Sequence, residues 1–248
     1  MHHLEPSQTS LATSNIVPPA CSENYAGEDE MLTRLIARIY DAAQAPALWP
    51  DTLAQIAGYV GGQAAGMLSK DTISNDSTPH YHCGVDPKQV QIYSKTHSRF
   101  DPFSTLSFFE IEQIVSIPEL VPYDEFCRGR FFREWMEPQG WVDAANCVLE
   151  KSALSCSFLT IIRSEEQGAV DDEMRRRMAL VVPHVRRAHL IGRMLEIERV
   201  RAAALTCVLD GLSAGMFLIA VDGTLMHANS AGHAMLVAEI VCTRSAVG

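Results

Sequence analysis

The chain has 248 residues, 47% of them hydrophobic and 20% charged, with a formal net charge of −10. This is the composition of a soluble globular protein of one or two domains. The acidic balance argues against the chain gripping nucleic acid by itself, because phosphate contacts need clustered Lys and Arg. No run of eighteen apolar residues occurs, so no membrane span is expected, and the N-terminus has neither the basic start nor the apolar stretch of a secretory signal. A cytoplasmic protein is the expectation. Seven cysteines (Cys21, Cys83, Cys127, Cys147, Cys156, Cys207 and Cys242) are scattered, with no C-x-x-C pair and an odd total. That pattern fits reduced thiols rather than a disulfide frame or a zinc site.

Residues 1–29 are rich in Ser, Thr, Pro and Asn and read as a disordered tail. From Glu28 to Tyr59 apolar residues recur at steps of three and four (Leu32, Leu35, Ile36, Ile39, then Leu53, Ile56, Ala57) on either side of APALWP, which predicts two amphipathic helices. The glycine-rich stretch Gly58–Gly66 lacks the Lys-Ser/Thr ending of a phosphate cradle. Ala64–Ser69 and His80–Cys83 are predicted strands around a polar loop. His80 and His82 share a strand face and sit beside Cys83, but no second cluster supplies further ligands, so no metal and no cofactor are expected.

Asp86-Pro87 opens a helix with Val90, Tyr93 and His97 on one face. Phe103–Phe109 is a mobile or pocket-facing stretch, and Gln113–Ile117 is a strand or a loop. Tyr123–Cys127 and Arg130–Met136 read as helical. Trp141–Lys151 and Ala153–Arg163 predict two antiparallel strands. Asp143 and Glu150, seven positions apart on one strand, fall on opposite faces and form no local acid–base pair. Cys127 and Cys156 have no evident basic neighbours to activate them.

Acids at Asp171-Asp172-Glu173 start a long helix, where the helix dipole favours them, running to about Leu209 with Pro183 as a kink or joint. Eight arginines and five acids lie between Asp171 and Arg201, a net of 8 − 5 = +3 on what reads as a solvated face. Met174, Met178, Val181, Val185 and Ala188 follow the four-three spacing of a coiled-coil seam, which points to a homodimer. The alternative is that this stripe packs on the chain's own sheet. The predicted fold is α+β, an antiparallel sheet flanked by helices over residues 30–170, then a long linker helix at 171–209.

Gly215–Val221 and Thr224–Ala228 predict strands joined by the Asp222-Gly223 hairpin turn, with Asn229-Ser230 capping a following helix. This order resembles the opening of a PAS sensory domain, so 210–248 is expected to be an incomplete PAS-like segment. The block YSKTHSRFDPFS (93–104) followed by FFREWMEPQGWVDA (131–144) resembles the N-terminal sensory region of LuxR-type helix-turn-helix transcriptional regulators, on Tyr93, Phe100, Asp101-Pro102, Phe131-Phe132 and Gly140. VVPHVRRAHLIGR and the PAS-like opening are similar to a subgroup whose sensory region continues into a PAS segment. The resemblance covers about residues 30–237 and implies a GAF-like, autoinducer-binding-like sensory domain.

What the resemblance implies is a pocket for a small apolar or amphipathic ligand, walled by Met67, Tyr93, Phe100, Phe103, Trp135 and Trp141, with Asp101 accepting a hydrogen bond from the ligand. Asp101 can equally cap the turn after a helix. The family's terminal DNA-binding module has no counterpart in this sequence, so DNA is expected to be reached only through that module. No nucleophile elbow, metalloprotease or nucleotide-binding motif is present, so no enzymatic activity is expected. A protein-interaction module acting by heterodimerisation is the alternative function.

Overall fold

The computed structural model describes residues 22–245. Its centre is an antiparallel sheet in the order β2-β1-β5-β4-β3, made of β1 (Ala64–Asp71), β2 (Ser77–Cys83), β3 (Ile114–Ser116), β4 (Trp141–Lys151) and β5 (Ser155–Ser164). Four of these strands were expected; β3 resolves the strand-or-loop ambiguity and adds the fifth. Ser152 tightens the β4–β5 turn by accepting from the Leu154 and Ser155 amides, so β5 starts two residues later than the pattern suggested.

Alternation along the strands gives each face its own core. On one face Ala65, Met67, Leu159 and Ile161 pack against α1 (Ser22–Gln44), α2 (Trp49–Val60) and α6 (Asp172–Asp210). On the other, Ala64, Leu68, Phe158 and Ile162 pack against a layer of short helices: α3 (Pro87–Ile92), α4 (Ile117–Leu120) and α5 (Tyr123–Arg128). The fold class is therefore the expected one, a five-stranded antiparallel sheet between helical layers.

Local chemistry sets the joints. Gly61 takes φ +85° to end α2, and a Cβ on Gly62 would lie 2.3 Å from Ile161 Cγ2, so the helix-to-strand turn at 61–62 accepts only glycine. Asp171 caps α6 by accepting from the Met174 amide at 2.8 Å. Asp143, buried in the sheet, accepts from the Ile117, Ala144 and Val170 amides and so ties the start of α4, β4 and the entry to α6.

Three expectations change. The tail was set at residues 1–29, but α1 already begins at Ser22. Residues 1–21, Cys21 among them, lie outside the described residues, as do 246–248 and the side chain of Cys242. Second, of the kink or joint expected at Pro183 the joint is absent, since α6 runs through Pro183 as one helix. Third, Met174, Met178, Val181, Val185 and Ala188 are each at most 1% exposed and close the core between α6, α1, α2 and the sheet. Those five side chains are spent within the chain and leave nothing for a seam between copies. The arginines of α6 are largely spent the same way: Arg175 donates to Ile114 O, Ser116 and Glu119, Arg176 to Glu28, Arg177 to Tyr59 O and Arg186 to Leu149 O.

Beyond the sheet, β6 (Phe217–Ile219) and β7 (Leu225–Ala228) form the expected hairpin, followed by α7 (Ser230–Ser245). Asn229 fastens this unit to α6: its amide donates to Leu209 O and Ala214 O, and its carbonyl accepts from the Met216 and Gly232 amides.

Candidate ligand site

The helical layer over the second sheet face contains two wide turns. Tyr93–His97 continues α3 as a π-type turn, with Ser98 N donating to Tyr93 O at 2.9 Å, and Phe132–Met136 forms another. Such turns put an extra residue into a helical step and are common at functional sites. Here they carry Tyr93 and Trp135, whose rings meet at 5.1 Å between centroids. Phe131 stacks on Trp135 at 5.2 Å and meets Phe103 edge-on at 5.9 Å.

Under these rings lies a cavity of about 50 Å³, floored by Gly66, Ala144, Thr160 and Ile162 and walled by Val90, Tyr93, Phe103 and Trp135. Two of its surroundings are unusual. Asn146 and Thr160 face each other across β4 and β5 on this side of the sheet. Both are buried, and Asn146 Oδ1 and Thr160 Oγ1 have no hydrogen-bond partner. A buried polar atom without a partner costs on the order of 1–3 kcal/mol, so native proteins rarely leave one without reason. Thr160 lies on the cavity floor and Asn146 behind it, and the exposed cavity lining is apolar, so the two atoms stay covered as the cavity stands.

Beside the cavity, Asp101 is wholly buried and ion-paired to Lys70, whose side chain is 3% exposed. Asp101 also accepts from Tyr93 Oη at 2.6 Å and from the Phe103 amide at 2.9 Å. Lys70 Nζ donates a second bond to Ser98 O at 2.7 Å, and Tyr93 Oη lies 3.2 Å from Ser77 Oγ. Burial raises the Asp101 carboxyl above its ordinary value, opposed by Lys70 and the other donors. Burial, with the adjacent carboxylate, pushes the Tyr93 phenol well up, so it stays protonated and donating. The cluster locks β1, the first wide turn and the 102–108 segment together.

Of the residues expected to line a pocket, Tyr93, Phe103 and Trp135 do so. Trp141 stands behind Trp135, edge-on at 5.0 Å. Asp101 does not line the cavity; it caps the Pro102–Phe108 turn through the Phe103 amide and reaches the cavity wall only through Tyr93. Two residues do not belong. Met67 points into the opposite core, because strand parity separates it from Leu68 and Lys70. Phe100 is 52% exposed, on the turn ahead of the Asp101 cap, with Arg130 Cζ 4.8 Å above its ring. Sequence reasoning missed Lys70, Asn146 and Thr160. Parity held the signal: extending β1 by one residue past Ser69 places a lysine on the inner face.

The remaining chemical candidates are accounted for locally. His80 Nε2 bonds Ser69 Oγ at 2.7 Å and His82 lines the aromatic cavity. Among the described residues no group of His, Cys, Asp and Glu is arranged to hold a metal ion, and no helix is long and apolar enough to cross a membrane. Burial pushes the Cys156 thiol up and the Cys147 thiol to about 12, which keeps both protonated and unreactive.

No protein-family model matches the chain, and no curated protein matches it in sequence. Solved structures do. The LBD domain of VqsR from Pseudomonas aeruginosa aligns with a TM-score of 0.55 at 10% identity, covering 65% of this chain and 96% of that one. The phycoerythrobilin-bound GAF domain of a cyanobacterial phytochrome aligns at 0.46 with 12% identity, covering 68% and 97%. SdiA in complex with octanoyl-rac-glycerol aligns at 0.40 with 14% identity, covering 70% and 68%. At such identities the likeness speaks to fold: this chain shares the architecture of the VqsR domain.

Proposed function

We propose that the chain is the small-molecule-sensing and dimerising region of a LuxR-type transcriptional regulator. The sequence resemblance at Tyr93–Gly140 and the shared fold with VqsR's LBD, by its name a ligand-binding domain, support this reading. The observation that carries it is an enclosed apolar cavity walled by Tyr93, Phe103 and Trp135, with Thr160, whose Oγ1 is buried and unpartnered, on its floor. Apolar walls with a few convergent polar groups are what small-ligand sites are made of. The ligand is a small apolar or amphipathic molecule whose one polar group meets the Thr160 hydroxyl once the packing around the cavity opens.

At about 50 Å³ the cavity is smaller than the roughly 150 Å³ that admits a benzene-sized guest. Entry therefore requires the rings to move. The two wide turns supply the slack, since either can tighten to an ordinary helical step and carry its aromatic residue with it. A ligand that binds the opened arrangement better shifts the population toward it. The test is direct. Thr160→Val removes an unpaired hydroxyl, so unliganded stability is unchanged or slightly raised. Ligand recovered by denaturing the purified protein and identified by mass spectrometry binds this variant about tenfold more weakly. A variant that loses stability and keeps affinity for the recovered ligand would place Thr160 in the core rather than in a site.

In this reading dimerisation uses the second half of α6, where Ile197, Val200, Ala204 and Cys207 repeat at three-four-three spacing and are exposed. The PAS-like hairpin and α7 follow directly. DNA is contacted by a helix-turn-helix module that the described residues do not include, and the chain itself carries out no chemistry. The same exposed stripe supports the second reading, in which the chain acts by pairing with a related regulator.

A further inference from the structure

On the opposite side of the sheet from the aromatic rings, a half-open groove of about 620 Å³ runs between the β2–β1–β5 surface and α6. Its size falls within the range of small-molecule sites, about 300–1,000 Å³. It lies where α6 leaves the body: His189 is the last buried residue of the helix, and Gly192 and Arg193 follow on the groove wall.

The groove is built rather than left over. Pairing of Met67 with Tyr81 and of Leu68 with Pro79 leaves His80 as the extra residue of a β-bulge. Bulges re-aim side chains, and this one turns His80 and Tyr81 toward the same side. His80 bonds Ser69 Oγ at 2.7 Å, and Ser69 Oγ lies 2.7 Å from Ser157 Oγ. Tyr81 stacks on buried Trp49 at 5.7 Å and gives the groove an aromatic wall. Across from them, Arg193 ion-pairs with Glu150, and His189 Nε2 stands 3.4 Å from Glu150 Oε2, outside hydrogen-bond geometry. His189 is 9% exposed and its Nε2 has no hydrogen-bond partner.

The charges cancel. Arg193 is matched by Glu150, and Glu196 lies 3.8 Å from Arg199. Desolvation lowers both imidazoles from their ordinary values, so His80 and His189 are neutral near pH 7. An anion would meet the Glu196 carboxylate on the groove wall and an Arg193 already paired, and a cation would find Glu196 already beside Arg199. What lines it is a mix of donors and acceptors with capacity beyond their mutual bonds: the hydroxyls of Ser69, Ser155 and Ser157, already joined to His80, Ser152 and one another, the His80 and His189 imidazoles, Arg193 and the Glu196 carboxylate, beside one aromatic face. We propose that this groove is a second ligand site, for a neutral hydroxyl-rich molecule of the monosaccharide or cyclitol class, each of whose hydroxyls donates and accepts at once. Bound there, it bridges β2 to α6 and braces the helix at its exit.

The test is saturation-transfer NMR on the full chain with glucose, galactose, ribose and myo-inositol, followed by calorimetry, with malate and inorganic phosphate as charged controls. At least one neutral compound binds with Kd of about 1 mM or tighter. Arg193→Ala and His80→Ala, both partly solvent-facing and checked for folding by circular dichroism, each weaken it about tenfold or more. Thr160→Val, on the other sheet face, leaves it unchanged, which separates this site from the aromatic cavity. No binding by any neutral compound, binding by malate or phosphate instead, or affinity untouched by Arg193→Ala overturns the proposal.

Discussion

Helix α6 is two helices in one rod. Its first half, through His189, buries Met174, Met178, Val181, Val182, Val185 and Ala188 against the body. From Leu190 to Asp210 no residue is buried, yet Ile191, Met194, Ile197, Val200, Leu205 and Val208 are all exposed. Both halves carry apolar residues at steps of three and four. The difference lies in what covers them: α1, α2 and the sheet end beside the first half, and the described chain offers nothing comparable to the second. Under the proposed function this exposed apolar run is the surface that a second copy covers.

The comparison makes different demands on the two regions. Largest is the body's buried ion pair: Lys70→Met strands Asp101 and lowers unfolding free energy by about 3–5 kcal/mol in urea titrations. Lys70→Met with Asp101→Leu recovers much of that loss, because the uncompensated charge is gone. Met178→Ala opens a hole in the first half of α6 and costs about 2–5 kcal/mol, with self-association unchanged at concentrations where the fold persists. Ile197→Glu sharpens the contrast. Its effect on monomer stability stays within about 0.5 kcal/mol, while sedimentation equilibrium reads a dimer weakened at least about tenfold, since both copies bring a carboxylate to the seam. A variant in the second half that unfolds the monomer, or one in the first half that only dissociates it, breaks the distinction.

The smallest effect is electrostatic. Hydrogen bonding to Arg176, with the charges of Arg176 and Arg177, holds the Glu173 carboxyl at about 2. Its folded value lies below its unfolded one, so its contribution is present above the unfolded pKa and is lost as pH falls toward 2. Carboxyl NMR titration reads that midpoint directly, and Arg176→Ala moves it upward.

Much of the fold was legible because the central strands, buried on both faces, read as apolar runs between turn signals, and because the joints carry their own chemistry. The Asp-Gly turn at 222–223, the Asp171 cap and the acids after it placed elements without tertiary knowledge. The site was legible only in part. Tyr93, Phe103 and Trp135 converge as expected, but Met67 lost its place to strand parity and Phe100 to a turn that points outward. Lys70 hid because a lysine beside polar residues reads as loop, and only its distant partner Asp101 makes burial tolerable. Asn146 and Thr160 sit among apolar neighbours, and their lack of partners is a property of three dimensions. The seam failed for the same reason: periodicity says that a stripe is covered, not by what.

Cys207 gives the most direct reading of the second half's role, because it lies exposed in line with Ile197, Val200 and Ala204. Mild oxidation of the full chain, followed by non-reducing electrophoresis, yields a disulfide-linked dimer that vanishes in Cys207→Ser if two copies run side by side along this stripe. A chain that stays monomeric under oxidation, or whose cross-link survives Cys207→Ser, contradicts a parallel α6 seam.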